Sequence, residues 1–548
     1  MAKDISFESI SPADFFYRNR SIAGFDNTMR ALYTAVRELV ENSLDACEDG
    51  GFLPTIKVKL EEISPNWFKL QVEDNGIGVP RDHILPAFGQ ILYGSKYIHK
   101  QARGRFGLGG KMAFLYGQIT TSEPLRVISA PIGGTYIFDV ILRQDIEENK
   151  PELLKWERRR NKEKIHGCTL EFILEGNWRL AKRFILEYIE QTALITPYAH
   201  LKFIEPDGTV HDYKRSVKVL PPPPSPVNPH PKGMDIEKLT RLIEETKTKD
   251  MVSFLRTHLH RVGPKTAKAF LKSISMPFTQ DPRALKPKDL VRIARGLEDF
   301  DKWLPPDARV LSPLGPKLLE VGIKTTIEPE FVHVIQRPPN SYGGHPFIVE
   351  CGLAYGGNVP LKESFIIYRF ANRIPLIFDE YKDVSAKIIR GIPWSRYGIR
   401  PSMPIAAFVA VVSTKIPFKT AGKEFIADLS ELEYDIRMGL MECARGLKAH
   451  LRQKEKAQRE RMRANVYEKY LPIIARDISA LAGKRKVPDT AALVESALTI
   501  KLDELEEEPE EKLPPSDEFE LPEDETSEEE EVTVANPSGE EEPTTEEK

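Results

Sequence analysis

Cysteine is scarce in this chain. Its 548 residues hold only Cys47, Cys168, Cys351 and Cys443, scattered and without a CxxC pair. That excludes a disulfide framework and suits a reducing cytoplasm. Long apolar runs are missing as well: none reaches the roughly 20 residues of a membrane span. The N-terminus carries no signal-peptide pattern, so a cytoplasmic protein with no membrane partner is expected. No GxxxxGK[ST] string follows a strand pattern, which excludes a Walker-type phosphate loop, and kinase signatures are absent. The lone DxD string, Asp299-Phe300-Asp301, ends a charged helical stretch with no strand before it, and reads as a helix terminus.

Apolar residues make up 41% of the chain, enough at this length for several packed cores. The formal charge of -4 hides an asymmetry. From Lys501 to the end there are 22 acidic residues against 3 lysines, which leaves 75 basic and 60 acidic residues before it, about +15. A basic body with an acidic tail suits work on nucleic acid.

Three segments of the first fifth carry chemistry: ELVENSLDA (Glu38 to Ala46), DNGIG (Asp74 to Gly78) and GRFGLGGK (Gly104 to Lys111). From Ala31 to Leu44 the apolar residues have helical period, with Leu32, Ala35, Val36, Leu39 and Val40 able to face a core. Glu38 and Asn42 stand four apart on that helix, so they project from one face. A carboxylate and an amide oxygen at this spacing suit a nucleophilic water and a hydrated magnesium ion. Glu41 and Asp45 point elsewhere on the wheel and read as structural. Two alternating runs between Ile56 and Val72, split by Ser64-Pro65-Asn66, predict a hairpin that delivers Asp74 at a strand end. The third segment has four glycines between Gly104 and Gly110, at the start of a predicted helix. Such a loop exposes backbone N–H groups as an anion nest.

In this order and spacing the three segments resemble the nucleotide site of the GHKL ATPases, the group of gyrase B, MutL, the heat-shock chaperone ATPases and the histidine kinases. The resemblance implies ATP and Mg2+ as ligands. It makes Glu38 the general base, places Asn42 on the metal, and has Asp74 accept a hydrogen bond from the adenine amine beside Gly78. The phosphates fall to Gly104, Arg105, Phe106, Gly107, Leu108, Gly109, Gly110 and Lys111. Ser95 and Lys96 in LYGSKY match a further phosphate-proximal position. The fourth GHKL element is a threonine that follows a glycine, and HGCTLEF offers Thr169 with Cys168 interposed.

Outside the pocket, the opening SPADFFYRNRSIAGFDNTMRALYTAVRELVENSLDA, HPFIVECGLAYGG (His345 to Gly357) and STKIPFKTAGKE (Ser413 to Glu424) closely resemble the B subunits of DNA topoisomerase VI. Those subunits are the ATPase half of the archaeal type IIB topoisomerases, and the likeness runs from about residue 8 to about residue 470. It implies an α+β multidomain chain. A GHKL (Bergerat) α/β sandwich would occupy 1–227 and a helix–two-turns–helix domain 228–306. An α/β transducer with a long stalk helix would occupy 307–470, a helical segment 471–500, and a disordered acidic tail 501–548.

The residues support these divisions. PPPPSPVNPHP (Pro221 to Pro231) reads as a stiff extended connector. Asp235 to Leu304 is helix-rich, and HRVGPKTAKAFL within it is similar to a helix-hairpin-helix turn, with Arg261, Lys265 and Lys268 available to a DNA phosphate or simply to solvent. His258 and His260 lack partner cysteines, so no metal is expected there. Strand-like runs follow Pro306. From Phe425 apolar residues recur every three or four positions, predicting one helix of about 40 residues, roughly 60 Å long. Tyr467 to Leu498 looks helical again.

By the resemblance, a transducer lysine reaches the γ-phosphate: Lys423 in AGKE, with Lys415 the alternative and Lys419 on the same loop. ATP would close two B subunits into a homodimer around double-stranded DNA. Strand cleavage needs a tyrosine nucleophile and an acidic metal site on another chain. In the family that chain is the A subunit of topoisomerase VI, giving an A2B2 heterotetramer associated with the nucleoid. A MutL-like repair clamp shares the pocket but not the helical insert or the AGKE segment. A chaperone ATPase fits the basic body poorly.

Overall fold

The computed structural model describes residues 10–94, 100–104, 108–400, 402–419, 422–484 and 486–491. Glu455 ends one compact unit, and the chain from Lys456 onward forms a second.

The first part of the chain runs α1 (Pro12–Arg18), α2 (Thr28–Asp49), β1 (Thr55–Ser64), β2 (Trp67–Asp74), α3 (Arg81–Gly89), α4 (Gly109–Thr121), β3 (Leu125–Ala130), β4 (Tyr136–Asp145), β5 (Lys150–Arg160), β6 (Gly167–Glu175), α5 (Trp178–Ile195), β7 (His200–Ile204) and β8 (Val210–Tyr213). Its strands form one sheet in the order β5-β4-β3-β6-β2-β1-β7-β8. All pairs are antiparallel except β1 with β7. The hairpin expected between Ile56 and Val72 is β1–β2, in register from Ile56 opposite Asp74. Burial alternates along its central strands. Ile56, Val58 and Leu60 of β1, and Phe68, Leu70 and Val72 of β2, are all buried. One face of the sheet therefore needs a cover, and α2, α4 and α5 supply it in a shared core with Leu32, Leu39, Met112, Ile185 and Tyr188.

Four helices follow: α6 (Ile236–Glu245), α7 (Met251–His258), α8 (Pro264–Ser273) and α9 (Pro287–Asp299). They close on their own core, which includes Leu239, Phe254, Phe270, Leu297 and Trp303. Asp299 is the last residue of α9 and Phe300 its cap, so the Asp-x-Asp string is a helix end.

The next segment contains α10 (Pro316–Ile327), β9 (Phe331–Gln336), β10 (Asn340–Tyr342), β11 (His345–Tyr355), β12 (Ile366–Ala371), β13 (Ile374–Pro375), α11 (Val384–Gly391), β14 (Ile405–Ser413) and α12 (Ser430–Leu481). Its sheet has the order β10-β11-β14-β12-β13, with β9 paired to β11. Strand β14 is buried along its whole length, and its period of two splits it between two cores. Ala407, Val409 and Val411 pack with Leu432, Ile436 and Leu440 of α12. Ala406, Phe408 and Ala410 pack with Leu319 and Ile323 of α10 and with Leu194 and Tyr198 of the first domain. The second core thus fixes the two sheets to each other.

Helix α12 runs 52 residues, longer than the 40 expected, because it continues through Tyr467 and past Pro472 to Leu481. The predicted helical segment stops at Leu481: Gly483 turns the chain at φ +65°, and the described residues between 482 and 490 are not helical, while residues 492–500 and the acidic tail lie outside the described residues.

Candidate active site

Helix α2 is buried on almost every side, which is unusual for a helix with this many charges. Its N-terminus is capped by Asn27, whose side chain accepts from the Arg30 N–H at 2.8 Å. Beyond the apolar face, Arg37, Glu38 and Glu41 are buried too. They form a four-charge cluster with Lys423 from the loop between β14 and α12. Arg37 donates to Glu38 Oε1 at 2.8 Å and lies 3.5 Å from Glu41 Oε1. Lys423 Nζ stands 3.8 Å from Glu38 Oε1 and 3.7 Å from Glu41 Oε2. Two cations balance two carboxylates, as burial of charge demands. Burial works against the Arg37 charge, but Glu38 and Glu41 outweigh it and hold the guanidinium protonated. Burial likewise pushes the Glu41 carboxyl up, against the pull of Lys423.

The loop that carries Lys423 is seated on α2 by flanking contacts. Arg37 donates to the Gly422 carbonyl at 3.2 Å, and Arg30 pairs with Glu424 at 2.5 Å. Lys423 has φ +57°, a left-handed backbone that costs a lysine about 1 kcal/mol. Its ammonium also donates to the Arg103 carbonyl at 3.2 Å, at the entry to the glycine loop. The other two lysines behave differently. Lys419 is exposed and pairs with Asp428 at 2.8 Å. Lys415 is held at the end of β14, its N–H donating to Ser413 Oγ at 3.1 Å.

The described end of the glycine loop packs against α2. A Cβ on Gly109 would fall 1.7 Å from Glu38 Oε2, so no larger residue fits at that position. Both cations lie on Oε1, and Oε2 is turned to the start of α4. One turn along α2, the Asn42 amide sits beside Gly110, where an added Cβ would lie 3.1 Å from Nδ2. Glu38 and Asn42 therefore both face the α4 N-terminus, where backbone N–H groups and the helix dipole favour an anion. Lys111 is turned away: it is buried, donates to the Tyr93 carbonyl, and is pushed down to about 8 by desolvation. Leu108 is the residue before α4, and Gly104 is half-buried behind Arg103. Ser95, Lys96, Arg105, Phe106 and Gly107 lie outside the described residues.

Asp74 ends β2 below this cluster. Its Oδ1 accepts from the Gly76 N–H at 2.8 Å and the Cys168 N–H at 3.2 Å, and Oδ2 accepts from Ser43 of α2 at 3.0 Å. Burial raises the carboxyl above its ordinary range, and these three donors oppose it. Gly78, at φ +65°, passes so close to Ala130 that a Cβ would meet its carbonyl oxygen at 2.3 Å. Thr169 is paired to Glu73 and Ile128 in mid-sheet, and the residue before it, Cys168, donates its backbone N–H to Asp74.

Arg37, Glu41 and Arg103 were not singled out by motif, though all three surround Glu38 or the loop root. For Arg37 and Glu41 the only signal was an excess of charge on a helix with an apolar face, and Arg103, in the loop just before Gly104, carried none. In the insert, Lys265 and Lys268 are exposed, and Arg261 donates to the Pro305 carbonyl at 2.8 Å. His258 bonds Thr246 at 2.7 Å, and His260 accepts from the Asp307 N–H at 3.0 Å.

Comparison with known proteins fits this geometry. Residues 29–160 match the family of histidine kinase-, DNA gyrase B- and HSP90-like ATPases, and residues 306–463 match the topoisomerase VI B subunit transducer. The B subunit of type 2 DNA topoisomerase 6 from Metallosphaera sedula is 42% identical over 494 residues, 89% of this chain and 93% of that protein. Its counterpart from Sulfurisphaera tokodaii is 41% identical over 91% of this chain and 96% of its own length. The chain belongs to the family of DNA topoisomerase VI B subunits. It is an ATP-hydrolysing subunit of a type IIB topoisomerase, and its nucleotide fold is that of the GHKL ATPases. The transducer match also sets the MutL-like clamp aside. Among the described residues, no helix is long and apolar enough to cross a membrane.

Proposed function

We propose that ATP binds between the Glu38–Asn42 face of α2 and the loop from Gly104 to Lys111, and that its γ-phosphate is read by Lys423. What supports this is the position of Lys423 Nζ, which comes from the transducer and yet stands 3.8 Å from Glu38 Oε1. Glu38 takes the proton of the attacking water through Oε2, while Arg37 holds the carboxylate from the Oε1 side. Asp74, already oriented by three donors, accepts from the adenine amine. The amide oxygen of Asn42 beside a carboxylate is a donor set that suits hydrated magnesium. A magnesium ion held there would neutralise charge on the phosphates. Lys423 exchanges Glu38 and Glu41 for phosphate oxygens when the triphosphate enters, which gives the transducer loop different contacts in the two states.

On this reading the triphosphate state closes two copies of the chain around a DNA duplex, and hydrolysis releases them. The cuts are made by a separate A subunit, in an A2B2 assembly acting on chromosomal DNA. The domain limits at residues 227, 306 and 470 belong to the same proposal. The test is relaxation of supercoiled DNA by the chain mixed with its A subunit. Relaxation is expected with ATP and magnesium and not without ATP; relaxation at equal rates in both would overturn the coupling.

A further inference from the structure

Lys423 is not the only transducer contact to the loop. Strands β12 and β13 are joined by a two-residue turn, Asn372-Arg373, closed by the pairing of Ala371 with Ile374. Both turn residues have positive φ, 49° and 65°. That is the geometry of a type I′ turn, whose second position strongly favours glycine. Here it holds an arginine that is only 5% exposed. A side chain kept at such a position is there for what it touches.

Arg373 touches the far end of α2. It donates to the Tyr198 hydroxyl at 2.8 Å and lies 3.3 Å from Glu48 Oε2. Tyr198 in turn donates to Glu48 Oε1 at 2.6 Å. The same Glu48 carboxylate receives two hydrogen bonds from Arg103, at 2.7 and 3.0 Å, and Arg103 also pairs with Asp45 at 2.8 Å. Arg103 directly precedes Gly104. The two residues before it are held from the same side: the Ala102 carbonyl accepts from Asn372 at 3.2 Å, and Gln101 exchanges two hydrogen bonds with the Ser312 backbone, at 2.7 and 3.1 Å. Three consecutive residues at the root of the phosphate loop are thus fixed to the transducer side, none of them through the nucleotide.

A cavity of about 280 Å³ lies along this contact, lined by Arg103 and Arg373 with Glu48, Ser312 and Asn372. The Nε atoms of both arginines are buried without a hydrogen-bond partner. Bidentate pairs around one carboxylate have few alternative geometries, while the cavity leaves room for the two guanidinium groups to shift together.

We propose that the Asn372-Arg373 turn is a second coupling contact, in which Arg373 acts through Glu48 and Arg103 to set the position of the phosphate-loop root. Arg373 is a positioning residue. It touches no nucleotide, and it carries loop movement to the β12–β14 side of the transducer independently of Lys423. The inference rests on the proposed coupling of ATP turnover to strand passage.

The test measures ATP hydrolysis and supercoil relaxation in the same reaction, with the full chain and its A subunit. Arg373→Gly removes the guanidinium and suits the turn, since glycine accepts φ +65° without strain. ATP hydrolysis at saturating ATP is expected within about threefold of the parent, and relaxation events per ATP lower by about tenfold, the usual scale of a coupling contact. A purely structural role would lower both rates together and leave their ratio unchanged. An unchanged ratio, within about twofold, overturns the proposal. If Arg373→Gly does not fold, Tyr198→Phe decides. It removes the hydroxyl between Arg373 and Glu48, and the same ratio should fall by about threefold, at the lower end of coupling effects; no fall overturns the proposal. A parent complex without ATP-dependent relaxation would sink the proposed function itself, which separates the two failures.

Discussion

The helical insert and the ATPase domain bury charge in opposite ways. Among the described residues from 232 to 303, no charged side chain is buried, and the core from Met234 to Trp303 is apolar. In the ATPase domain Arg37, Glu38, Glu41, Arg103 and Lys111 are all buried. Ion pairs in a low-dielectric interior gain little over an apolar core of the same volume. Where a fold keeps them, the site is a candidate for chemistry. The insert is therefore read as a packing module, and the α2 cluster as the working part.

The largest expected effect tests that division directly. Glu38→Ala should retain nucleotide binding, measured by calorimetry, and lose turnover by roughly 10²–10⁴-fold, the scale of a positioned base. Phe270→Ala in the insert should instead cost about 3–5 kcal/mol of stability by opening a cavity, with kcat per folded molecule kept. If the two variants had the same kinetic signature, the contrast between the regions would be broken.

The part of this contrast visible in the sequence was the part set by local spacing. Helical period put Glu38 and Asn42 on one face, and strand alternation gave the hairpin that ends in Asp74. The helix–strand identity of most elements follows from the same periods. Three features were hidden because they depend on residues distant in the chain. Arg37 drew no reading and Glu41 only a structural one, because the 422–424 loop that lies on them is distant in the chain. Lys111 follows the glycines, yet its side chain goes to the Tyr93 carbonyl. Glu48, three turns beyond Glu38, gains its meaning only from Arg103, Tyr198 and Arg373. The choice among three loop lysines was likewise open in sequence. The fold places Lys423, at a left-handed turn, 3.8 Å from Glu38 of α2.

Glu350, on the transducer side, is a buried carboxyl with no cation in direct contact among the described residues. It accepts from the Leu314 and Gly315 N–H groups at 3.2 and 2.5 Å, ahead of α10. Burial pushes it up to about 7 from 4.5, more than those bonds and Arg373 pull it down. The folded chain then holds a proton that the unfolded chain has released between these values. Stability should fall as pH rises from about 4.5 to 7, by up to about 3 kcal/mol at 1.36 kcal/mol per unit. Glu350→Gln should flatten this slope in denaturant titrations at pH 5 and pH 8. A slope equal to the parent's would remove Glu350 as its source.

A smaller effect separates the lysines. Lys423→Ala should bind ADP as the parent does and lose roughly ten- to a hundredfold in affinity for a non-hydrolysable ATP analogue, since a charge-assisted contact is worth about 1.5–3 kcal/mol. Lys419→Ala, which leaves Asp428 paired with Lys387, is the control on the same loop. Equal losses in both would mean that loop charge, not the contact to α2, carries the discrimination.

The central claim is that contacts to the γ-phosphate, made from both the ATPase domain and the transducer, close the chain into a dimer. Light scattering on the full chain with magnesium tests it most directly. The monomer mass is expected with ADP and twice that mass with the non-hydrolysable analogue; the same mass in both would contradict closure by the γ-phosphate.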